Sequence, residues 1–314
     1  MMQDPSSQID PVVLIVGPTA SGKTAVSVAL AERCGAEVVS ADSRQVYRYC
    51  DIGTAKPTEA ERGGVPHHGF DIADPPDRVS AGRFAHEARG WIEEIRARGR
   101  RVVVAGGSGL YLQALVDGFF AGDVKDEAVR AELERRAAEE GLEALYAELK
   151  RLDPAYAAKT RPGDRQRILR ALEVCHAAGE PFSALHGRGR AAATFPSAWF
   201  GLEWPRGRLY ERIDRRVAEM FDRGLVAEVR GLLDRGWGEA NALKSVGYTE
   251  TIDFLGGRLS SLEAAMERIR RNTRRYAKRQ LTWFRRDKRI RWLAAGGRTP
   301  GEIAGEIARA VGWE

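Results

Sequence analysis

The sequence has no apolar run approaching the ~20 residues that a bilayer-crossing helix needs, so a membrane span is not expected. Met1 to Asp10 carry neither a basic cluster nor an apolar stretch, so a secretory signal is not expected either. Cysteine is scarce. Cys34, Cys50 and Cys175 are widely spaced, form no C-x-x-C pair and leave an odd count. That argues against a disulfide framework or a zinc ribbon and fits a reducing cytoplasm. Repeats and low-complexity linkers are missing, and residues 187–193 (G-R-G-R-A-A-A) are the one stretch expected to be flexible. Acid is missing from one place in particular. From Arg268 to Arg291 there are 12 Lys/Arg and a single acid, Asp287, a local net of +11, whereas the rest of the chain sums to −5. Such a block is either a solvated helix face or a surface for a polyanion.

What is present starts with 314 residues, room for one large α/β unit and a smaller second one. Val12–Val16 is an apolar run of strand length that ends on Gly17. A helix is expected over 23–33, a second buried strand over 37–40, a helix over 84–98 and a third strand over 102–105. Strand, glycine turn and helix in repetition predict a parallel sheet with crossover helices. From residue 119 the texture changes. Segments 125–140, 142–152 and 164–178 all read as helices, and no strand interrupts them. Strand character returns at 195–204, helices are expected over 209–223 and 226–234, and a last strand over 290–293. The expected organisation is a core built from 1–118 and 194–314, with an all-helical insertion over 119–193.

Gly17-Pro18-Thr19-Ala20-Ser21-Gly22-Lys23-Thr24 fits G-x-x-x-x-G-K-[ST] completely, after a strand and before a helix. The glycines let successive N–H groups face one anion, and the helix N-terminus adds positive potential there. Lys23 adds a point charge, and Thr24 offers a hydroxyl to Mg²⁺. Taken alone this P-loop suggests a nucleoside triphosphate such as ATP. In parallel sheets ligands sit beyond the carboxyl ends of the strands. Asp42 and Ser108 fall at such ends, so one crevice can collect them with the loop. Asp42 is placed to hold Mg²⁺, to act as a general base, or merely to cap a turn. Gly106-Gly107-Ser108-Gly109 reads either as a second anion nest or as a tight turn. The pair His67-His68 invites a metal reading, but adjacent side chains diverge and nothing nearby completes a site.

The basic segment has helical periodicity. Leu262, Ala265, Met266, Ile269, Tyr276, Trp283 and Phe284 fall on one arc, and Arg268, Arg270, Arg271, Arg274, Arg275, Lys278 and Arg279 on the other. Like charges at this spacing repel, and a solvated face usually interleaves Glu. The pattern favours a surface for a phosphate backbone, with Arg271, Arg274, Arg275 and Lys278 as its contacts.

The ordered motifs G-P-T-A-S-G-K-T at 17–24, S-A-D-S-R-Q-V-Y at 40–47, D-I-G-T-A-K-P at 51–57, H-H at 67–68, G-G-S-G-L-Y at 106–111, D-R-Q-R-I-L-R-A-L-E-V at 164–174, V-G-Y-T-E at 246–250 and R-R-N-T-R-R-Y-A-K-R-Q-L-T-W-F at 270–284 cover nearly the whole chain. The set resembles the tRNA dimethylallyltransferases, also called tRNA isopentenyltransferases. The resemblance implies an α/β fold with a P-loop NTPase-like parallel sheet, flanking helices and an inserted helical subdomain that clasps the anticodon stem. It implies transfer of a dimethylallyl group from dimethylallyl diphosphate to N6 of the adenosine on the 3′ side of the anticodon, in tRNAs reading codons that begin with U. Mg²⁺ is the implied cofactor. A cytoplasmic enzyme acting as a monomer is expected. Gly17 and Thr19 through Thr24 are then expected to hold diphosphate, and Asp42 to be the general base. Asp42, Ser43, Arg44, Gln45, Ser108, Arg130, Gln166, Arg167, Ile168, Leu169 and Arg170 are expected to contact tRNA. Arg212 and Arg216 are candidates to stabilise the leaving group, with Arg216 preferred.

Three departures stand out. Ser108 replaces the more usual Thr, Tyr49-Cys50 replaces a common Gly-Met pair, and Arg44 takes a position often apolar. Rival readings are a P-loop small-molecule kinase, an isopentenyltransferase acting on free adenine nucleotides, and a non-catalytic RNA-binding module with a relict P-loop. The first two need neither a +11 helix nor a helical insertion.

Overall fold

A computed structural model describes residues 10–118, 126–187 and 192–314. Most of the 187–193 stretch lies outside the described residues. Val12–Val16 forms β1, and all five residues are at 0% exposure. A strand buried on both faces must be central and covered by helices on both sides. The sheet has six strands in the order β3-β2-β4-β1-β5-β6. The others are β2 (Ala36–Ser40), β3 (His67–His68), β4 (Arg101–Gly106), β5 (Ser197–Glu203) and β6 (Ile290–Ala294). Every pairing is parallel.

Register fixes where the chemistry can be. Val16 lies opposite both Gly106 and Gly201, and Ser40 lies opposite Ala105. The carboxyl ends of β1, β2, β4 and β5 are therefore level. Gly17, Asp42 and Ser108 leave the sheet at one edge. The chain runs outward from β1 to β2, past the place later filled by β4, and returns on the other side of β1 as β5. Ligand crevices form where strand order reverses in this way.

One face of the sheet is covered by the helices Lys23–Cys34 and Pro300–Val311. Val13, Ile15, Val26, Leu30, Ile303 and Ile307 share this core. The terminal helix was not expected from hydropathy, yet its start is written locally. Thr299 caps it, Pro300 occupies its first turn, and Glu302 completes a capping box. The helix Tyr248–Leu255 and the strand β3 were likewise not expected. The two histidines are edge-strand residues. His68 Nε2 meets Glu37 Oε2 at 2.8 Å and His67 Nδ1 meets the Val65 carbonyl at 2.8 Å.

Backbone contacts divide the chain into two compact units. One joins the residues up to Val116 with Ala193–Glu314, and the other is Asp117–Ala192. The second unit is helical, with Glu127–Glu139, Leu142–Leu152 and Arg165–Ala178 packed around Leu133, Leu145, Leu149, Ile168, Leu169 and Leu172. This corrects the expectation for two residues. Ile168 and Leu169 are at 0% exposure in that core and have no side chain to offer RNA. Gln166 and Arg167, the two residues just before them, are exposed. Arg130 and Arg170 line up on Glu173, at 3.6 and 3.0 Å.

The level strand ends depend on one close approach. A Cβ at Gly106 would lie 2.1 Å from the Ala41 carbonyl oxygen, inside a backbone that cannot retreat. Gly106→Ala is expected to lower stability by about 1–3 kcal/mol through overpacking. Gly207→Ala, where a Cβ meets nothing within 4 Å, is the control and should be neutral or slightly stabilising. Thermal unfolding of the two variants beside the parent checks this; equal melting temperatures would remove the constraint.

Candidate active site

The P-loop is ready for an anion because its carbonyls are held elsewhere. Lys23 Nζ donates to the carbonyls of Gly17 at 3.0 Å and Pro18 at 2.8 Å. Arg212 Nε donates to the Ala20 carbonyl at 2.7 Å, and its guanidinium lies over the Trp204 ring at 4.4 Å. Trp204 Nε1 donates to the Ser21 carbonyl at 2.9 Å. With those four oxygens turned away, the amides between them turn to the other side. Ala20 adopts a left-handed φ of 62° and Gly22 one of 91° to make the curl. Gly22 caps the following helix without any side chain. Among the described residues the amides of Ala20, Gly22, Lys23 and Thr24 have no acceptor, as the first turn of a helix requires of an anion site. The Ser21 amide bonds to Pro18, and the Thr19 amide is taken by Gln280 Oε1 at 2.9 Å.

These amides face a cavity of about 840 Å³. Its walls bring together Thr19 through Thr24, Asp42 through Gln45, Arg212, Arg216 and Tyr276. Asp42 is half-buried. Its Oδ1 accepts from the Arg44 amide at 2.9 Å, which fixes the carboxylate and leaves Oδ2 for a ligand. Ser108 steadies the same turn, since its hydroxyl accepts from the Ser43 amide at 2.8 Å and reaches Ser43 Oγ at 3.1 Å. Gln45 is engaged internally, donating to the carbonyls of Thr54 and Ala55 at 3.2 and 3.0 Å. Arg44 Nη1 donates to the Asn241 carbonyl at 3.1 Å.

The charges in the cavity are coupled. Burial lowers the Lys23 pKa to about 8, with Asp42 opposing the shift and Arg216 adding to it. Burial also lowers the Arg216 pKa, again opposed by Asp42. A cationic pair held partly desolvated around one carboxylate has unmet demand for negative charge. Arg216 Nη1 donates to Thr19 Oγ1 at 3.2 Å and Nη2 to the Ala55 carbonyl at 3.3 Å. Arg212 spends its Nε on the loop's backbone. Arg216 is therefore the arginine that faces the cavity from the Thr19 side.

The donors present suit Mg²⁺ only in company with a substrate. The Thr24 hydroxyl lines the cavity without a protein partner among the described residues, and the Asp42 carboxylate lines it too. Mg²⁺ usually takes one or two protein oxygens and completes its shell with phosphate oxygens and water. The donor set fits that use.

Gly106-Gly107-Ser108-Gly109 is a closed turn and not a second anion nest. A Cβ at Gly107 would sit 2.3 Å from Gln280 Nε2, so the glutamine fills the space an anion would need. The basic helix, Leu262–Phe284, is less naked than its sequence. Acids neutralise part of this segment. Arg268 pairs with Asp253, Arg270 with Glu263 in the helix's own first turn, and Arg285, just past its end, with Glu203. Arg274 is a correction. Its guanidinium makes two bonds to Asp214, at 3.2 and 2.5 Å, and lies 5.4 Å from the centre of the Tyr210 ring. It ties two helices together and has little charge left for RNA. Arg271, Arg275 and Lys278 are exposed and have no ion-pair partner among the described residues. They form one stripe at i, i+4 and i+7. Two residues of the apolar arc, Leu262 and Trp283, are each 41% exposed. Gln280 and Trp204 were missed. The only signal for Gln280 was a polar residue on the apolar arc of the helix.

Strand order, P-loop and adjoining carboxylate define an α/β enzyme built around a phosphate cradle. The pattern of the IPP transferase family matches residues 45–287, and that of isopentenyl transferase matches residues 10–73. The chain belongs to the IPP transferase family. A tRNA dimethylallyltransferase of Koribacter versatilis is 45% identical over 304 residues, 96% of this chain and 98% of its own. That of Thermomicrobium roseum is 49% identical over 284 residues, 90% and 85% of the two chains. The crystal structure of the full-length tRNA isopentenylpyrophosphate transferase of Bacillus halodurans superposes with a TM-score of 0.71 at 41% identity, covering 97% of each chain. A eukaryotic dimethylallyltransferase acting on tRNA superposes at 0.80 with 28% identity, covering 92% of this chain and 75% of that one.

The depressed Lys23 pKa has a consequence for the ligand-free protein. Between about pH 8 and its ordinary value of 10.5, the unfolded chain holds a proton on Lys23 that the folded chain has lost. Stability therefore rises with pH across that window, and the cost of the buried charge is full below it. Lys23→Met removes the titration. The stability deficit of the parent relative to this variant is expected to shrink from pH 8 to 10.5 in denaturant melts; a pH-independent difference would refute the depressed value.

Proposed function

We propose that this chain transfers the dimethylallyl group of dimethylallyl diphosphate to N6 of the adenosine 3′-adjacent to the anticodon, in tRNAs reading codons that begin with U. The carrying observation is that one cavity holds both a row of unpartnered P-loop amides and the Asp42 carboxylate. The first is a cradle for a leaving anion and the second a proton acceptor. The C–N bond forms as the C–O bond to diphosphate breaks. The proton of the N6 amine passes to Asp42, and the bonding pair of C–O leaves on the diphosphate oxygen. Adenine N6 is a weak nucleophile because its lone pair is delocalised into the ring, and a carboxylate that accepts its proton lowers that barrier. Charge grows on the leaving diphosphate, where the loop amides, Lys23 and Arg216 meet it more strongly in the transition state than before it. Thr24, with the substrate's phosphate oxygens, would hold Mg²⁺, which supplies further positive charge there.

The adenine must leave its stack to reach Asp42, at a cost of a few kcal/mol. Backbone contacts by Arg271, Arg275 and Lys278 are the proposed source of that energy, together with Gln166 and Arg167 of the helical unit. The enzyme is proposed to act as a monomer in the cytoplasm. Three free cysteines suit that compartment, and no helix among the described residues is long and apolar enough to cross a membrane.

The direct test is to incubate the protein with dimethylallyl diphosphate, Mg²⁺ and unmodified tRNA, digest the RNA and look for N6-dimethylallyladenosine. Its absence alongside ATP-dependent phosphorylation of a small molecule would sink the reading. Asp42→Ala is expected to cut turnover by roughly 10²–10⁴ while tRNA affinity stays nearly intact; a large affinity loss instead makes Asp42 a binding residue. Arg275→Glu with Lys278→Glu is expected to weaken tRNA binding and reduce its salt slope by about 0.7–0.9 per lost phosphate contact. An unchanged slope returns that stripe to a merely solvated face.

A further inference from the structure

We propose that Gln280 is a positioning residue for the diphosphate site, keeping the Thr19 amide out of the phosphate cradle so that the amides after it face the cavity. The proposal rests on the reading that the P-loop binds diphosphate.

Gln280 is 6% exposed, on a helix face otherwise buried through Ala265, Ile269, Ala277 and Phe284. A buried amide side chain is costly unless both its ends are bonded. Here both are. Oε1 accepts from the Thr19 amide at 2.9 Å, and Nε2 donates to the Gly107 carbonyl at 2.9 Å. The side chain thus joins the P-loop, the turn after β4 and the basic helix. It fits only because Gly107 has no Cβ.

Thr19 is held a second time by its hydroxyl, which accepts from Arg216. Thr19 is thus held at its amide and at its side chain, and the residue after it adopts the left-handed conformation. The Ala20 carbonyl is then delivered to Arg212, away from the cavity. Without Gln280 the Thr19 N–H is unpaired and its peptide is free to rotate. The strain at Ala20 then relaxes, and carbonyl oxygen approaches the place where phosphate oxygen should sit. The loss falls on anion binding and not on RNA binding, since Gln280 lies on the side of the helix opposite Arg271, Arg275 and Lys278.

The first measurement needs no variant. Amide hydrogen exchange by NMR is followed at Thr19 and at residues 20–24, with and without inorganic pyrophosphate and Mg²⁺. Thr19 is expected to be protected in the free protein and unchanged by pyrophosphate, while the amides of Ala20, Gly22, Lys23 and Thr24 gain protection. A Thr19 amide that gains protection with its neighbours belongs to the cradle, and the proposal is wrong. If pyrophosphate does not bind at all, the diphosphate reading itself has failed.

The second measurement uses Gln280→Met, close in shape and with only a weakly accepting thioether in place of the amide. Pyrophosphate Kd by calorimetry and KM for dimethylallyl diphosphate are each expected to rise about tenfold, the scale of one buried donor left unpaired. The Kd for tRNA should stay within about twofold. Equal weakening of both ligands would mean a general structural role and overturn the proposal, as would unchanged pyrophosphate affinity.

Discussion

A backbone loop can offer its amides to an anion only if its carbonyls are occupied elsewhere, and the rest of this structure follows from meeting that condition. Peptide dipoles alternate in direction unless the chain is forced to curl. Here the curl is enforced by capture. Lys23, Arg212 and Trp204 hold the carbonyls of Gly17, Pro18, Ala20 and Ser21. The captors come from the P-loop helix, the end of β5 and the helix Arg206–Asp222. The site is therefore rigid because three parts of the chain agree on it.

The same arrangement sets the electrostatics. Lys23 and Arg216 are cations in a place that disfavours charge, with Asp42 as their nearby compensation. Empty, the site is a stability burden. An anion in the proposed cradle would relieve it, so binding and local stability would be linked through the same groups. Asp42 keeps its own geometry through the Arg44 amide and the Ser43–Ser108 bonds, and so does not depend on the ligand for orientation.

The basic helix serves two masters. One face carries the exposed stripe Arg271, Arg275 and Lys278. The other carries Gln280 into contact with the P-loop. Arg274, though part of the same charge run, belongs to neither role, because Asp214 of another helix claims it. A run of like charges in sequence overstates the free charge in space whenever acids from elsewhere fold against it. Ile168 and Leu169 show the same effect for a motif. Their neighbours Gln166 and Arg167 are on the surface, and they are in the core.

Much was legible in the sequence because it is local. The P-loop spacing, the strand that precedes it, the carboxylate after β2, the change of texture near residue 119 and the amphipathic period of the basic helix are all short-range patterns. Strand β3, only two residues long, has no period to read, whereas the helix at Pro300–Val311 buries Ile303, Ala304, Ile307 and Ala308 on one face and was legible although it was not expected. What tertiary structure alone decided are the partnerships. Strand register made Gly17, Asp42 and Ser108 neighbours, and folding assigned Arg212 to the loop's backbone and Arg216 to the cavity. It also turned one glutamine on an apolar arc into the partner of Thr19. Such choices depend on which distant groups meet, and a linear pattern contains the groups without containing the distances between them.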